Sequence, residues 1–186
     1  MKNFGSFSDY PQQPNPAWKD HYLTEKAVIE TKIGTANIFR ISHIGSTAVP
    51  NLLSKPTIDI LLEMKNDTEI EQLIASMGRL GYLYSPQPNN PPPHMMFMKG
   101  YTPEGFKGQA YHLQVRYGGD WDELYFRDYL ISHSDAAKRY AELKLGLKEK
   151  YEFDRDGYTA AKTGFTKNLT KLAREEMPNK YRPLSD

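Results

Sequence analysis

The chain has 186 residues, which is enough for one domain with a substantial buried core. Its 24 Lys and Arg are balanced by 23 Asp and Glu, so neither a nucleic acid nor a membrane surface is expected as its main partner. It has no cysteine, which excludes disulfide bonds and thiolate metal sites. The first residues carry no apolar core of signal-peptide length, and no window approaches a membrane span. We therefore expect a single domain over residues 1–186 in a reducing, cytoplasmic compartment.

The first part of the chain is predicted to be an extended arm followed by a helix. Residues 1 to about 15 are polar and contain prolines, which is typical of an arm on the surface. Apolar residues at helical spacing then predict a helix over 17–33, with Gly34 directly after its end.

The next segment combines a strand, a tight turn and hydroxyl side chains. Ile and Phe residues predict a strand over 38–44, and Gly45 permits the sharp turn that follows. Ser46 and Thr47 supply hydroxyls at the start of a short helical segment, with Pro50 near its first turn. This combination predicts a phosphate site, because free backbone N–H groups and the positive end of the helix dipole face the ligand.

A buried strand that carries acidic residues follows. Residues 57–64 are largely apolar, and Asp59, Leu61 and Glu63 share one face because strand side chains alternate. A carboxylate inside such a strand is unfavourable unless it is paired or bound to a cation. Asp59 is therefore a candidate metal ligand, with a structural role as the alternative. Glu63 at the strand end is either a second ligand or a solvated acid.

The middle of the chain is predicted to contain short strands separated by loops. A capping box formed by Thr68 and Glu71 precedes a helix that reaches about residue 80 and ends at Gly81. The next predicted elements are a short strand at 82–84, an irregular proline-rich loop at 85–93, a strand at 95–99, a hairpin loop at 100–109 and a strand at 110–116.

The last third of the chain is predicted to be helical. Asp120 with Glu123 is a second capping signal, and three helices follow at about 121–132, 135–151 and 157–174. The predicted fold is α+β: a mixed β-sheet flanked by helices and closed by a helical C-terminal portion from about residue 120.

The turn and the acidic strand resemble a known signature. Gly45-Ser46 followed by Asp59 is similar to the signature of the nucleotidyltransferase fold, a Gly-Ser or Gly-Gly turn followed by a strand with paired acids. More narrowly, HIGSTAVPNLLSKPTIDILLEM resembles the signature of the GrpB family, which has that fold and includes members fused to dephospho-CoA kinase. The resemblance continues through Tyr111-His112-Leu113, Phe126-Arg127-Asp128-Tyr129-Leu130, Tyr140 with Lys144, and Tyr158 with Lys162.

The resemblance implies Mg²⁺-dependent transfer of a nucleotidyl group from a nucleoside triphosphate to a small-molecule acceptor. The common pattern places two acids two residues apart on one strand. Here Leu61 occupies the second position, and Glu63 lies about 13 Å further along the strand than Asp59. Either one metal ion binds through Asp59, or Glu63 and a distant acid contribute, or metal-dependent transfer has been lost.

Two histidines and an arginine are further candidates. If the strands align, His112 lies beside Asp59 as a metal ligand, a phosphate donor or a general base; otherwise it is a hydrogen-bonded histidine in a half-buried sheet. Members of the family often have a second histidine where this chain has Gln114. His43 is expected to orient the turn, to contact phosphate or to be structural. Arg127 is expected to bind phosphate or to pair with a neighbouring acid.

Lysines supply the positive charge that a phosphate site needs. Lys55 lies between the turn and the acidic strand, where it either reaches a phosphate or is exposed. Tyr140 with Lys144, and Tyr158 with Lys162, are each four residues apart and share a helix face. Each pair either holds a base or ribose together with a phosphate, or consists of a core tyrosine and a surface lysine.

Other reaction classes lack their motifs. The sequence has no G-x-x-x-x-G-K-[ST] loop, no H-E-x-x-H and no G-x-S-x-G, and Ser46 has no evident base apart from His43. Two hypotheses remain. One is an Mg²⁺-dependent nucleotidyltransferase-like enzyme, and the other is a non-catalytic module that binds a nucleotide or a CoA-type phosphate ligand.

Overall fold

The structure is a computed structural model, and it describes residues 11–87, 89–90, 92–102, 105–151 and 154–183. It contains the helices α1 (Ala17–Ile33), α2 (Ile70–Arg79), α3 (Asp122–Ser132), α4 (Ser134–Lys150) and α5 (Arg155–Glu176). The strands are β1 (Ile38–Ile44), β2 (Thr57–Met64), β3 (Leu83–Ser85), β4 (Met95–Thr102) and β5 (Gly105–Tyr117). None of the helices in these ranges is long and apolar enough to cross a lipid bilayer.

The sheet is mixed, with the strand order β1-β2-β5-β4-β3. β2 pairs with β5 in parallel, whereas the other neighbouring pairs are antiparallel. The parallel register places Asp59 directly opposite His112. The predicted α+β architecture, a mixed sheet flanked by helices with a helical C-terminal portion, is confirmed.

Alternation along β2 gives the sheet two different faces. The even-numbered residues of β2 belong to the larger apolar core, which α1 and α2 cover. On the opposite face Leu61 packs with Ile44 of β1 and Leu124 of α3. Asp59 shares that face with Leu61, so the C-terminal helices cover the side of the sheet on which the candidate site lies.

The capping boxes predicted before α2 and α3 are wrong, because no side chain caps either helix. Thr68 instead donates its hydroxyl to the carbonyl of Lys65 at 2.7 Å. Asp120 accepts a hydrogen bond from the hydroxyl of Tyr125 at 2.6 Å and pairs with Arg174 at 2.7 Å. The Asp120 carboxylate thus accepts from side chains instead of from helix N–H groups, and the Thr68 hydroxyl is directed to the preceding turn.

The predicted hairpin loop at 100–109 is shorter than expected. β4 continues to Thr102 and β5 begins at Gly105, so most of that segment is strand. The register shifts between Lys99 and Tyr101, where Gly100 has a φ of 88°. This geometry is that of a β-bulge, which changes the direction of the side chain that follows it.

The predicted N-terminal arm is described from residue 11 onward, and residues 1–10 lie outside the described residues. Gln12 pairs with Ser54 in an isolated antiparallel bridge, with N–O distances of 2.7 and 3.1 Å. Ser54 follows the turn after β1, so the arm runs beside the candidate site.

Candidate functional site

One cavity gathers most of the predicted site residues. It has a volume of about 230 Å³ and lies between the sheet and helices α4 and α5. Its walls include Gly45, Ser46, Thr47, Lys55, Asp59, His112, Tyr140, Lys144, Tyr158 and Lys162. The other three predicted site residues, His43, Glu63 and Arg127, do not line it.

The turn after β1 brings the backbone against a carboxylate. Gly45 has a φ of 70°, in the left-handed region that favours glycine. A Cβ atom at this position would overlap Oδ2 of Asp59, so the carboxylate and the turn lie on the same side of the sheet. The short helical segment predicted after the turn is a single 3-10 turn, Ser46–Ala48, and Pro50 follows it. The dipole of a longer helix therefore does not contribute here.

Replacing Gly45 with alanine is expected to lower the free energy of unfolding by about 1–3 kcal/mol, because a side chain at positive φ is strained. The new Cβ also displaces the Asp59 carboxylate. Urea unfolding measures the loss. The control is Gly146→Ala on the exposed side of α4, where a Cβ meets nothing within 4 Å. Gly146→Ala is expected to increase the free energy of unfolding by up to about 1 kcal/mol. Equal effects of the two changes would contradict the assigned role of Gly45.

His112 connects Asp59 to a tyrosine that the sequence did not single out. Nδ1 of His112 lies 3.2 Å from Oδ1 of Asp59, and Nε2 lies 2.6 Å from the hydroxyl oxygen of Tyr101. The Tyr101 and His112 rings are stacked, with centroids 5.7 Å apart. The bulge at Gly100 directs Tyr101 towards this position. The Tyr–His–Asp chain provides a route for a proton to or from a ligand beside Asp59.

Two lysines on the C-terminal helices make the cavity positive. Lys144 is 4% exposed, and its Nζ donates to the Ser46 hydroxyl at 3.2 Å and to the Leu53 carbonyl. Burial, followed by the charge of Lys162, lowers the pKa of Lys144 to about 7. Burial, followed by the charge of Lys55, lowers the pKa of Lys162 to about 8. Buried cations that repel one another are unfavourable for folding, which is typical of a functional site.

Two tyrosines support these lysines through their ring faces. Nζ of Lys144 lies 4.6 Å from the ring centroid of Tyr140, and Nζ of Lys162 lies 4.2 Å from that of Tyr158. Nζ of Lys55 lies 5.3 Å from the Tyr158 centroid. The negative ring faces stabilise the ammonium groups. Each predicted Tyr–Lys pair thus lines the cavity, and neither lysine is on the exposed surface.

The donor set of the cavity fits Mg²⁺ only in part. In the residues that the structure describes, no group of three or more His, Cys, Asp or Glu side chains is arranged to hold a metal ion. Asp59 and His112 contribute one carboxylate and one imidazole, while Leu61 is fully buried in the core. Mg²⁺ prefers oxygen ligands, commonly one or two carboxylates together with substrate phosphates and water. Asp59 therefore suits Mg²⁺ when a phosphorylated ligand supplies further oxygens.

His43 and Arg127 contact the turn from outside the cavity, which agrees with the structural alternative predicted for each and not with phosphate binding. Burial, followed by the charge of Arg127, lowers the pKa of His43 to about 4, so its imidazole is neutral near pH 7. Thr47 donates its hydroxyl to the Thr57 carbonyl at 3.0 Å, so Nε2 of His43 donates to the Thr47 oxygen at 3.1 Å. Arg127 donates to the His43 carbonyl at 3.0 Å and pairs with Asp128 at 2.7 Å.

Glu63 belongs to a buried ion pair, which corrects its predicted role as a metal ligand. Its side chain is fully buried and accepts two hydrogen bonds from Arg40, at 2.5 and 2.7 Å. The backbone N–H of Gly119 donates a third at 3.0 Å. The Glu63 carboxylate is therefore already engaged. It lies on the same face of β2 as Asp59, with Leu61 between them.

The fold and the cavity define an α+β protein with a cationic site between a mixed sheet and helices at its C-terminal end. A family model described as GrpB protein matches residues 12–172. The chain therefore belongs to the GrpB family, as the resemblance predicted.

The most informative relatives agree with this assignment. A UPF0157 protein of Pseudomonas aeruginosa is 39% identical over 150 residues, which cover 80% of this chain and 60% of that protein. The glutamate-rich protein GrpB of Alkalihalophilus pseudofirmus is 32% identical over 155 residues, which cover 82% of this chain and 88% of that protein. The crystal structure of the conserved protein GrpB from Enterococcus faecalis gives a TM-score of 0.77 at 26% identity, covering 89% of this chain and 97% of that one. This chain thus spans 60% of the length of the Pseudomonas protein.

Proposed function

We propose that the cavity binds the phosphate part of a small phosphorylated molecule, such as a nucleotide. The observation that carries this proposal is the convergence of three lysines, Lys55, Lys144 and Lys162, on one cavity that contains a single carboxylate. An anion bound there relieves the mutual repulsion of the lysines and the unfavourable burial of two of them. Phosphate is the biological anion that best matches several ammonium groups and hydroxyls at once.

The size of the cavity limits which part of the ligand lies inside. Its volume of about 230 Å³ is below the roughly 300–1,000 Å³ that encloses a drug-sized ligand. A phosphate group with a neighbouring small group fits within it, while a base or a pantetheine chain extends outside. The Ser46 hydroxyl lines the same cavity and accepts a hydrogen bond from Lys144, so its own proton is placed for donation to a phosphate oxygen.

Nucleotidyl transfer is the second candidate function, and the Asp59–His112 pair favours it. In that case Asp59 would hold Mg²⁺, and the lysines would neutralise the charge of the leaving pyrophosphate. When bound, the metal supplies Lewis-acid stabilisation of the phosphate oxygens. Tyr101 would take the proton of the acceptor hydroxyl and pass its own proton to Nε2 of His112, whose Nδ1 faces Asp59. Leu61 in place of a second acid favours ligand binding without transfer.

Thermal stability with added ligand tests the proposal and separates the two candidates. Inorganic phosphate, ATP, CTP, GTP and CoA are each added with and without Mg²⁺, and the melting temperature is measured. A ligand at 100 times its Kd is expected to stabilise by about 2.7 kcal/mol. Stabilisation that needs Mg²⁺ and is lost in Asp59→Asn, together with release of pyrophosphate, supports nucleotidyl transfer.

Control variants make the result specific to the cavity. Lys55→Met is expected to raise the phosphate concentration needed for the same stabilisation at least about tenfold. The reason is that one hydrogen bond to a charged group contributes about 1.5–3 kcal/mol. Lys171→Met, whose side chain is 78% exposed on α5, is expected to leave it unchanged. Absence of stabilisation by every phosphorylated ligand would overturn both candidate functions.

A further inference from the structure

The two lysines of the C-terminal helices are held differently. Lys144 is fixed by hydrogen bonds to Ser46 and to the Leu53 carbonyl. Lys162 lines the same cavity, is less deeply buried, and has its Nζ above the Tyr158 ring. That Nζ forms no hydrogen bond or ion pair with the residues that the structure describes, and Asp59 acts on it through charge alone. Lys144 is therefore held in place, whereas the Lys162 nitrogen is free to approach a ligand.

The surroundings of Lys162 increase the fraction of its neutral amine relative to an ordinary lysine. Burial and the charge of Lys55 lower its pKa to about 8, against the opposing charge of Asp59. A lysine of ordinary pKa near 10.4 is almost entirely protonated at neutral pH and has no lone pair for attack. Desolvation and a second cation nearby are the two means by which proteins make a lysine nucleophilic. Both act on Lys162.

The remaining positive groups give a bound ligand a definite orientation. Lys144 and the Ser46 hydroxyl are hydrogen-bonded to each other and are placed to hold a phosphate together, whereas Lys55 and Lys162 both lie over the Tyr158 ring. The cavity has a volume of only about 230 Å³, and Lys162 also lines it. A group that is a few bonds from the phosphorus therefore lies near the Lys162 nitrogen. An amine with an available lone pair next to an electrophilic carbon is the arrangement that imine formation requires.

We propose that Lys162 is a nucleophile that forms an imine with a small phosphorylated aldehyde held in the cavity by its phosphate. This proposal rests on the proposed phosphate binding and adds a covalent step to it. The lone pair of the Lys162 amine forms a C–N bond to the carbonyl carbon, and the carbonyl oxygen takes up a proton. The resulting carbinolamine loses its hydroxyl group and the second nitrogen proton as one molecule of water. The step needs no oxidant or reductant, and hydrolysis reverses it.

The pH dependence of this step reflects every titratable group around Lys162. These groups are Lys55 before β2, Asp59 on β2, His112 on β5, Tyr140 and Lys144 on α4, and Tyr158 on α5. Burial raises the pKa values of Tyr140 and Tyr158, so both tyrosines stay neutral below pH 9. The fraction of neutral Lys162 increases as pH rises through about 8, so imine formation is expected to increase over the same interval.

Reductive trapping tests the proposal on the intact chain. Pyridoxal 5′-phosphate serves as the phosphorylated aldehyde, sodium borohydride reduces the imine to a stable amine, and peptide mass spectrometry locates the adduct. We expect one dominant adduct at Lys162, half-maximal near pH 8, at least about tenfold above the adduct at exposed Lys171. Lys162→Arg keeps the positive charge and is expected to abolish the adduct. Pyridoxal without phosphate is expected to react at least about tenfold less, and inorganic phosphate to compete.

The possible outcomes separate the imine from the phosphate site. Dominant labelling of Lys144, or labelling spread evenly over surface lysines, overturns the assignment to Lys162. If inorganic phosphate stabilises the chain but Lys162 is not labelled, the imine is wrong and phosphate binding stands. If neither occurs, both proposals fail. Competition by inorganic phosphate in the unmodified chain keeps the test decisive even if Lys162→Arg does not fold.

Discussion

Replacing Lys144 with methionine is expected to stabilise the protein and to weaken phosphate binding. At pH 7 the free energy of unfolding is expected to increase by about 1–3 kcal/mol, because an apolar side chain of similar length replaces a buried cation. The gain is smaller than the cost of burying the charge, since the Leu53 carbonyl loses its donor. The same change is expected to weaken phosphate binding at least about tenfold. A residue that opposes folding and supports binding is typical of a functional site.

The pH dependence of this gain identifies its cause. The pKa of Lys144 is about 7 in the folded chain, against 10.5 for an ordinary lysine, so the unfolded chain binds more protons between these values. Lys144 therefore makes stability rise with pH across that interval, and its penalty is complete below pH 7. The difference in the free energy of unfolding between Lys144→Met and the unmodified chain is expected to be largest at pH 7 and below. It is expected to vanish towards pH 10.5.

Urea unfolding at several pH values and phosphate titration measure the two effects. Lys138→Met, an exposed change on the same helix, is expected to alter the free energy of unfolding by less than about 0.5 kcal/mol and to leave phosphate binding intact. A Lys144→Met protein that is less stable than the unmodified chain at pH 7 would show that Lys144 is a structural residue.

The second large effect is expected at the buried ion pair of β1 and β2. Arg40→Met leaves the fully buried carboxylate of Glu63 without its bidentate partner and is expected to destabilise the protein by about 3–5 kcal/mol. The double change Arg40→Met with Glu63→Met removes both charges and is expected to recover most of that loss. Lys26→Met, which breaks the partly exposed Lys26–Glu30 pair at 3.7 Å, is expected to cost less than about 0.5 kcal/mol.

A double-mutant cycle in urea gives the coupling energy of Arg40 and Glu63. Phosphate binding is expected to persist in the double variant if it remains folded, because neither residue lines the cavity. Loss of phosphate binding in a fully folded double variant would instead restore Glu63 to the candidate site.

Strong local patterns were sufficient to predict the elements that carry the site. Alternating and apolar residues gave β1 at 38–44 and β2 at 57–64 with the bounds that the structure has. Helical spacing gave α1 at 17–33 and the three C-terminal helices to within two residues. The spacing of four residues in each Tyr–Lys pair correctly predicted that both side chains face one direction.

The parts that sequence patterns missed depend on contacts between distant segments. Glu63 has the pattern of a metal-site acid, but Arg40, 23 residues earlier, takes both of its oxygens. Tyr101 was predicted to lie in a loop, because the glycines around it indicate turns, whereas Gly100 forms a bulge inside a long strand. His43 resembles a ligand in sequence, yet the Tyr22 ring stacks on it at 4.7 Å and the turn occupies its free nitrogen.

Two separate parts of the chain supply the side chains of the cavity: the paired strands β2 and β5, and the C-terminal helices. The strands supply the acid and the imidazole, from positions 53 residues apart, and the last two helices supply two of the three lysines. Neither part is complete alone, so a molecule that bridges them ties the C-terminal helices to the sheet. Ligand binding in the cavity and packing of those helices against the sheet are then thermodynamically coupled, and each stabilises the other.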